Sequence, residues 1–210
     1  MLAFLIGFAI LIYSIILHEI AHGWVADRLG DPTARLSGRL TLNPLPHIDP
    51  LMSIILPAIL VLSGSPVIFG AAKPVPIDPF NFREGRKDIG LVGLAGPATN
   101  LLLAVIAALC FKIILLLPVF GIGLLLLSVL KLVVFYNLAL AALNLIPIPP
   151  LDGSRILAAI LPRQYASFFD TLEPYGLFLL YFLLLFPLGG FSLGRIIFGL
   201  VSLWMRLLGF

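Results

Sequence analysis

Charged residues make up only 11% of this 210-residue chain, and cysteine occurs once. So little charge cannot supply the polar surface that a water-soluble globule of this length needs. The lone Cys110 has no intrachain partner, which excludes a disulfide framework and leaves packing as its role. Basic residues exceed acidic ones only by 13 to 10. No basic-aromatic patch accompanies that excess, so it bears on membrane orientation and not on nucleic acid. Internal repeats and low-complexity tracts are also missing.

What fills the chain instead is apolar: 61% hydrophobic residues and a mean hydropathy of +1.16. A bilayer core about 30 Å thick takes roughly 20 apolar residues of helix per crossing, and runs of that length recur along the sequence. The pattern predicts an all-α polytopic membrane protein with about five spanning helices, a re-entrant segment and a short β-hairpin. Residues 1–210 read as a single domain, with a core over 1–161 and an additional C-terminal helix pair over 170–208.

The first apolar run, Met1 to about Ala26, has neither a basic leader region nor an A-x-A cleavage site, so it reads as a retained helix. Asp27, Arg28, Gly30, Asp31 and Pro32 end it. Ala34 to Leu42 alternates in the manner of a short hairpin or edge strand. Leu51 to Leu62 is short, contains Pro57 and stops at Ser63-Gly64-Ser65-Pro66, which suits a re-entrant segment better than a span. Lys73 to Pro79 is too rich in proline to be helical. Ile89 to Leu117 and Gly123 to about Leu145 read as spans, the first interrupted by Gly96-Pro97. Pro147, Pro149 and Pro150 break the chain before helix resumes at Ser154 to Leu161. Leu172 to Phe186 and Leu193 to Leu208 are the last two apolar segments.

Near the end of the first helix stands His18-Glu19-Ile20-Ala21-His22. Four residues apart, the two histidines share one helical face and can reach a single ion. Glu19 is placed to hydrogen-bond a metal-bound water, as in H-E-x-x-H zinc hydrolases. Ionisable groups next to hydrocarbon are costly, so they mark function. Catalytic zinc takes three protein ligands and leaves a position for water. Among the acidic residues Asp152 is framed by prolines and followed by Gly153, where irregular backbone needs burial or a wet cavity. It is either a ligand or the cap of the helix near Ser154, and the roles are compatible. Asn100, on an apolar helix, reads either as an interhelical hydrogen-bonding group or as an active-site residue. His47, beside Asp49 in a proline-bounded turn, reads as structural and is left out of the metal shell. A protease with its site projecting into water would carry the motif on a wetter helix. A metal transporter would distribute polar groups through several helices, whereas here they converge on one end.

Three segments, His18-Glu-Ile-Ala-His22, Ala95-Gly96-Pro97-Ala-Thr-Asn100 and Asn144-x-x-Pro147-x-Pro149-x-Leu151-Asp152-Gly153, resemble in kind and order the signatures of the site-2 protease family of intramembrane zinc metalloproteases. The resemblance implies one Zn2+ per chain, with Asp152 as third ligand beside His18 and His22, and Glu19 as catalytic base. It implies that Asn144 lies beside the bound peptide, and that Gly96 to Asn100 packs the central helix against the site. It also implies a single-pass membrane-protein substrate, such as an anti-sigma factor or a signal-peptide remnant, and a cytosol-facing site in a prokaryotic inner membrane. The resemblance is to a compact subgroup without a PDZ or CBS domain. In that topology Arg28, Arg35, Arg39, Lys73, Arg83, Arg86, Lys87, Arg155 and Arg163 share the cytosolic face, and the last helix returns Arg206 to it.

Overall fold

The computed structural model describes residues 2–64, 72–118, 120–186, 189 and 192–210. Helix α1, Leu2–Leu29, is 28 residues long and carries no charged residue before His18, so nothing opposes its lying in hydrocarbon. It stops at Gly30, whose φ of 116° is open to glycine and strained for other residues. A Cβ there would also stand 3.0 Å from the Asn81 carbonyl oxygen.

The hairpin expected over Ala34 to Leu42 is not formed, and no strand occurs among the described residues. A single helical turn, α2 (Thr33–Leu36), takes its place. Asp31 accepts hydrogen bonds from the Thr33 amide at 3.1 Å and its hydroxyl at 2.5 Å, and such local capture competes with a ladder. The facing segment contains Pro74, Pro76 and Pro79, which have no N–H to give to a ladder. The alternation is met by individual contacts: Ala34 is buried, and Arg39 turns inward to donate to the Lys73 carbonyl.

A 3-10 turn (Leu45–His47) and a π-helical turn (Pro50–Ile55) lead to α3, Leu56–Leu62. Asp49 caps the π turn by accepting from Leu51 and Met52. The Ser65-Pro66 stop expected after it lies outside the described residues. Asn81 donates to Asp31 at 2.9 Å, so the chain between them leaves and returns to the same end of α1.

Helix α4, Arg86–Leu115, is continuous through Pro97 and is the central element. Its small residues recur every three or four positions. Gly90 meets Ala159, Gly93 meets Arg155, and Gly96 meets the two histidines. Ala104, Ala107 and Ala108 pack on Val134, Leu138 and Ala142 of α5, Ile122–Asn144. Bare helix faces permit this close approach in a membrane, where packing rather than hydrophobicity drives association. After the proline break, α6 (Asp152–Ile160) starts beneath the end of α5. Gly153 is required there, since a Cβ would collide with the Leu145 and Ile146 carbonyls.

Then come α7 (Arg163–Leu172), a 3-10 turn (Glu173–Tyr175), α8 (Gly176–Leu185) and α9 (Leu193–Leu207). By length and composition four stretches among the described residues can cross a membrane: Leu5–Leu29, Arg86–Leu115, Ile122–Asn144 and Arg163–Leu185. About five spans were expected from the sequence, and these four are the stretches of sufficient length and apolarity among the described residues. The fourth stretch begins at Arg163 rather than Leu172. Helix α9, at 15 residues, reaches only about 22 Å. Its start packs with Ile146, Leu151 and Leu180 and its end beside Phe111, where the Phe210 ring lies 4.7 Å away. Arg206 therefore sits at the α4 end remote from the histidines, not on their side as the charge pattern suggested.

Candidate metal centre

His18 and His22 project from α1 toward α4, and Asp152 is the first residue of α6. His18 Nε2 and His22 Nε2 lie 3.0 Å apart, and Asp152 Oδ2 stands 3.1 Å from the first and 3.2 Å from the second. All three residues are buried. Asp152 is not the helix cap, a position held by Leu151. Its carboxylate faces the imidazoles instead.

The protonation of this triangle follows from its neighbours. The Val133 carbonyl can only accept, so the group of Asn137 that meets it at 2.9 Å is the NH2. That leaves Asn137 Oδ1 to accept from Asn100 Nδ2 at 2.8 Å, and it turns Asn100 Oδ1 toward His18 Nδ1 at 2.6 Å. Nδ1 of His18 therefore carries the proton. His22 Nδ1 likewise donates to the Val92 carbonyl at 2.7 Å. Both Nε2 atoms present lone pairs to Asp152 Oδ2, which has no hydrogen-bond donor of its own.

Three acceptors this close repel one another unless a cation lies among them. A proton on one ring could bridge one pair but not all three. Tetrahedral zinc with bonds of about 2.0–2.1 Å sets its ligands about 3.3 Å apart, near the separations found. Gly96 leaves the space: a Cβ there would stand 2.5 Å from His22 Nε2 and 2.6 Å from His18 Nε2. The residues present thus fit a metal ion, and theirs is the one such cluster among the described residues.

Glu19 lies half-buried on the same helix and accepts from the Val75 amide through Oε2 at 2.8 Å. Asn100 is completely buried and reaches His18, so it stands behind the histidine. Asn144 ends α5 and donates to the Leu140 carbonyl of its own helix at 3.0 Å. His47 is remote from the cluster in its bonding, with Nε2 donating to the Thr41 carbonyl at 2.9 Å. Segment 73–79 is extended, yet the amides of Lys73, Val75 and Asp78 are all engaged within the protein. It has few donors left with which to pair an added strand.

Asn137 and Ser14 were not singled out from sequence. Asn137 also donates to Ser14 Oγ at 2.9 Å, extending the chain from His18 across α4 and α5 back to α1. The available signal was a lone amide in the apolar α5, two helical turns before Asn144.

Apolar helices around a buried His-His-Asp cluster define a membrane metalloprotease site, and comparison with known proteins agrees. Residues 119–187 match peptidase family M50. The chain is 37% identical over 189 residues to YwhC of Bacillus subtilis, named as a candidate zinc metalloprotease, covering 87% of this chain and 81% of that protein. Rip2 of Mycobacterium tuberculosis, named likewise, is 34% identical over 171 residues, 81% of this chain and 62% of its own length. For Rip2 of Mycolicibacterium smegmatis the values are 31% over 176 residues, 83% and 64%. The chain thus spans just under two thirds of the Rip2 proteins. No solved structure matches. This chain belongs to peptidase family M50, the site-2 protease family, and is a multi-pass membrane zinc metalloprotease.

Proposed function

We propose that this metalloprotease hydrolyses peptide bonds within or next to the transmembrane segments of single-pass membrane proteins, in the manner of regulated intramembrane proteolysis. The observation that carries the reading is the triangle of three buried acceptors, 3.0–3.2 Å on a side, on helices long and apolar enough to span a bilayer. His18, His22 and Asp152 hold one zinc in this reading. Bound there, zinc polarises a scissile carbonyl and makes a water acidic enough to attack near neutral pH.

Glu19 takes the proton of the attacking water and returns it to the leaving amine, with no covalent intermediate. Asn100 keeps His18 in the tautomer with a free Nε2, and the Val92 carbonyl does the same for His22. Asn144 is the candidate contact to the substrate backbone. Substrates of this kind include an anti-sigma factor or a signal-peptide remnant. The site opens to the cytosol of a prokaryotic inner membrane, because nine basic residues lie in the loops, helix ends and short helices at its end of the bundle and positive segments stay inside.

Purified wild type in detergent or vesicles is expected to bind one zinc per chain and to cleave a single-pass substrate. Glu19→Gln keeps the metal and loses cleavage, while His22→Ala loses both. A Glu19→Gln enzyme that cut at the wild-type rate, or a His22→Ala protein with full zinc, defeats the assignment.

A further inference from the structure

We propose that the extended Lys73–Ile77 segment is a fixed strap that positions Glu19 through the backbone N–H of Val75. The inference rests on the reading of Glu19 as general base. Val75 stands between Pro74 and Pro76, neither of which has an amide proton. It therefore carries the single N–H of that tripeptide, and donates it to Glu19 Oε2 at 2.8 Å.

The strap is tied down on both sides of that bond. The Lys73 amide donates to the His47 carbonyl at 2.9 Å, and the Lys73 carbonyl accepts from Arg39 Nη2 at 2.6 Å. Downstream, the Asp78 amide donates to Asp31 Oδ2 at 2.8 Å, and Asn81 Nδ2 to Asp31 Oδ1 at 2.9 Å. The anchoring residues are themselves almost inaccessible, with Arg39 at 6%, His47 at 3% and Asp31 at 0% exposure. Val75 is also clamped by its side chain. Gly23, one turn beyond Glu19 on α1, has no Cβ, and an added one would lie 3.0 Å from Val75 Cγ1.

These contacts make the strap a wall rather than a flap. A bond to an ionised carboxylate is among the stronger and more directional hydrogen bonds in a protein. Made by a backbone that cannot swing, it fixes Oε2 and leaves Oε1 as the oxygen free to take the proton. Rotation of an untethered carboxylate would move that oxygen away from the reacting water, an orientation loss that lowers the chemical step rather than substrate affinity.

Val75→Pro removes the N–H and leaves the chain extended, whereas Val75→Ala keeps the N–H and trims the side chain. With a single-pass substrate in vesicles, Val75→Pro is expected to lower kcat about tenfold and leave KM within about twofold. Zinc content stays at the wild-type level, and Val75→Ala retains markedly more kcat than Val75→Pro. Equal losses in the two variants, or a wild-type kcat in Val75→Pro, overturn the proposal. An amide-to-ester replacement at Val75 guards against a packing fault from proline. It must reproduce the loss of kcat, and a fully active ester overturns the proposal even if Val75→Pro is inert. Glu19→Gln separates the two levels of inference. If that variant is active, the base assignment and the strap's role fall together; if it is dead while the ester is fully active, only the strap's role falls.

Discussion

A methyl group at position 96 would fill the space between α1 and α4 beside the His18 and His22 imidazoles. Gly96→Ala would place carbon 2.5 Å from His22 Nε2, so the variant should fold and span the membrane yet carry far less zinc, at least tenfold by metal analysis. Gly199→Ala, with open space at its Cβ, should change neither. Asn100→Leu attacks the same centre from behind. It frees His18 Nδ1 and strands Asn137 Oδ1, so zinc affinity should fall about 10–100-fold. Asn137→Leu should cost less, and the double variant less than the sum of the two, because the amides act as one chain. Chelator titration of the three proteins checks this; strict additivity would mean that no such chain exists. That His18 and His22 share one helical face was legible from sequence because helical spacing is a local property. The Asn137–Ser14 bond joins residues 123 apart, and nothing local in either segment announces the other.

Asp31 shows how one buried carboxylate can organise several elements. It ends the turn after α1, starts α2 and holds the strap through Asp78 and Asn81. Burial alone would raise its pKa above the ordinary 3.8, but the hydrogen bonds from Thr33, Asn81 and Asp78 outweigh that and hold it below. The sign follows from linkage. A carboxylate with a depressed folded pKa contributes stability that is complete above its unfolded pKa and lost as pH falls through the folded value. Protection of the Val75 and Asp78 amides against hydrogen exchange, relative to the intrinsic rate at each pH, should therefore hold from neutrality down to about pH 4 and fall below it. Asp31→Asn should lower that protection already at pH 7; unchanged protection in that variant would remove Asp31 as the anchor. At this level the long helices α1, α4 and α5 were readable, since an apolar run of spanning length has few other fates. The Ala34 to Leu42 alternation misled because a strand needs a partner, and the segment that faces it is the proline-rich strap. Pro97 also misled, suggesting a break in α4, because neighbouring helices can support a membrane helix through a proline.

For the molecule as a whole, one end of the bundle carries the candidate metal centre and most of the basic charge. The Asp31–Asn81 bond closes the excursion through α3 onto the end where it began. Arg86 of α4 donates to the Ala158 and Leu161 carbonyls at the end of α6, so residues 31–39, 73–88 and 158–163 share that end. At the opposite end the Phe111 and Phe210 rings meet. Helix α9 thus runs from the histidine end, where Leu193 packs with Leu151, toward the far end of α4. The chain terminus then faces away from the cytosol if the basic loops face it. Single cysteines in a Cys110→Ala background test this with an impermeant thiol reagent. Ser37→Cys and Glu84→Cys, both exposed, should label together from the cytosolic side. Leu117→Cys and Leu207→Cys, which are 60% and 73% exposed, should label together from the other. Labelling of Ser37 and Glu84 from opposite sides would mean that Leu51 to Leu62 crosses the bilayer and that the Asp31–Asn81 contact does not form there. Labelling of Leu207 with Ser37 would instead leave the candidate metal centre intact and reverse only α9, because His18, His22 and Asp152 all lie outside that helix.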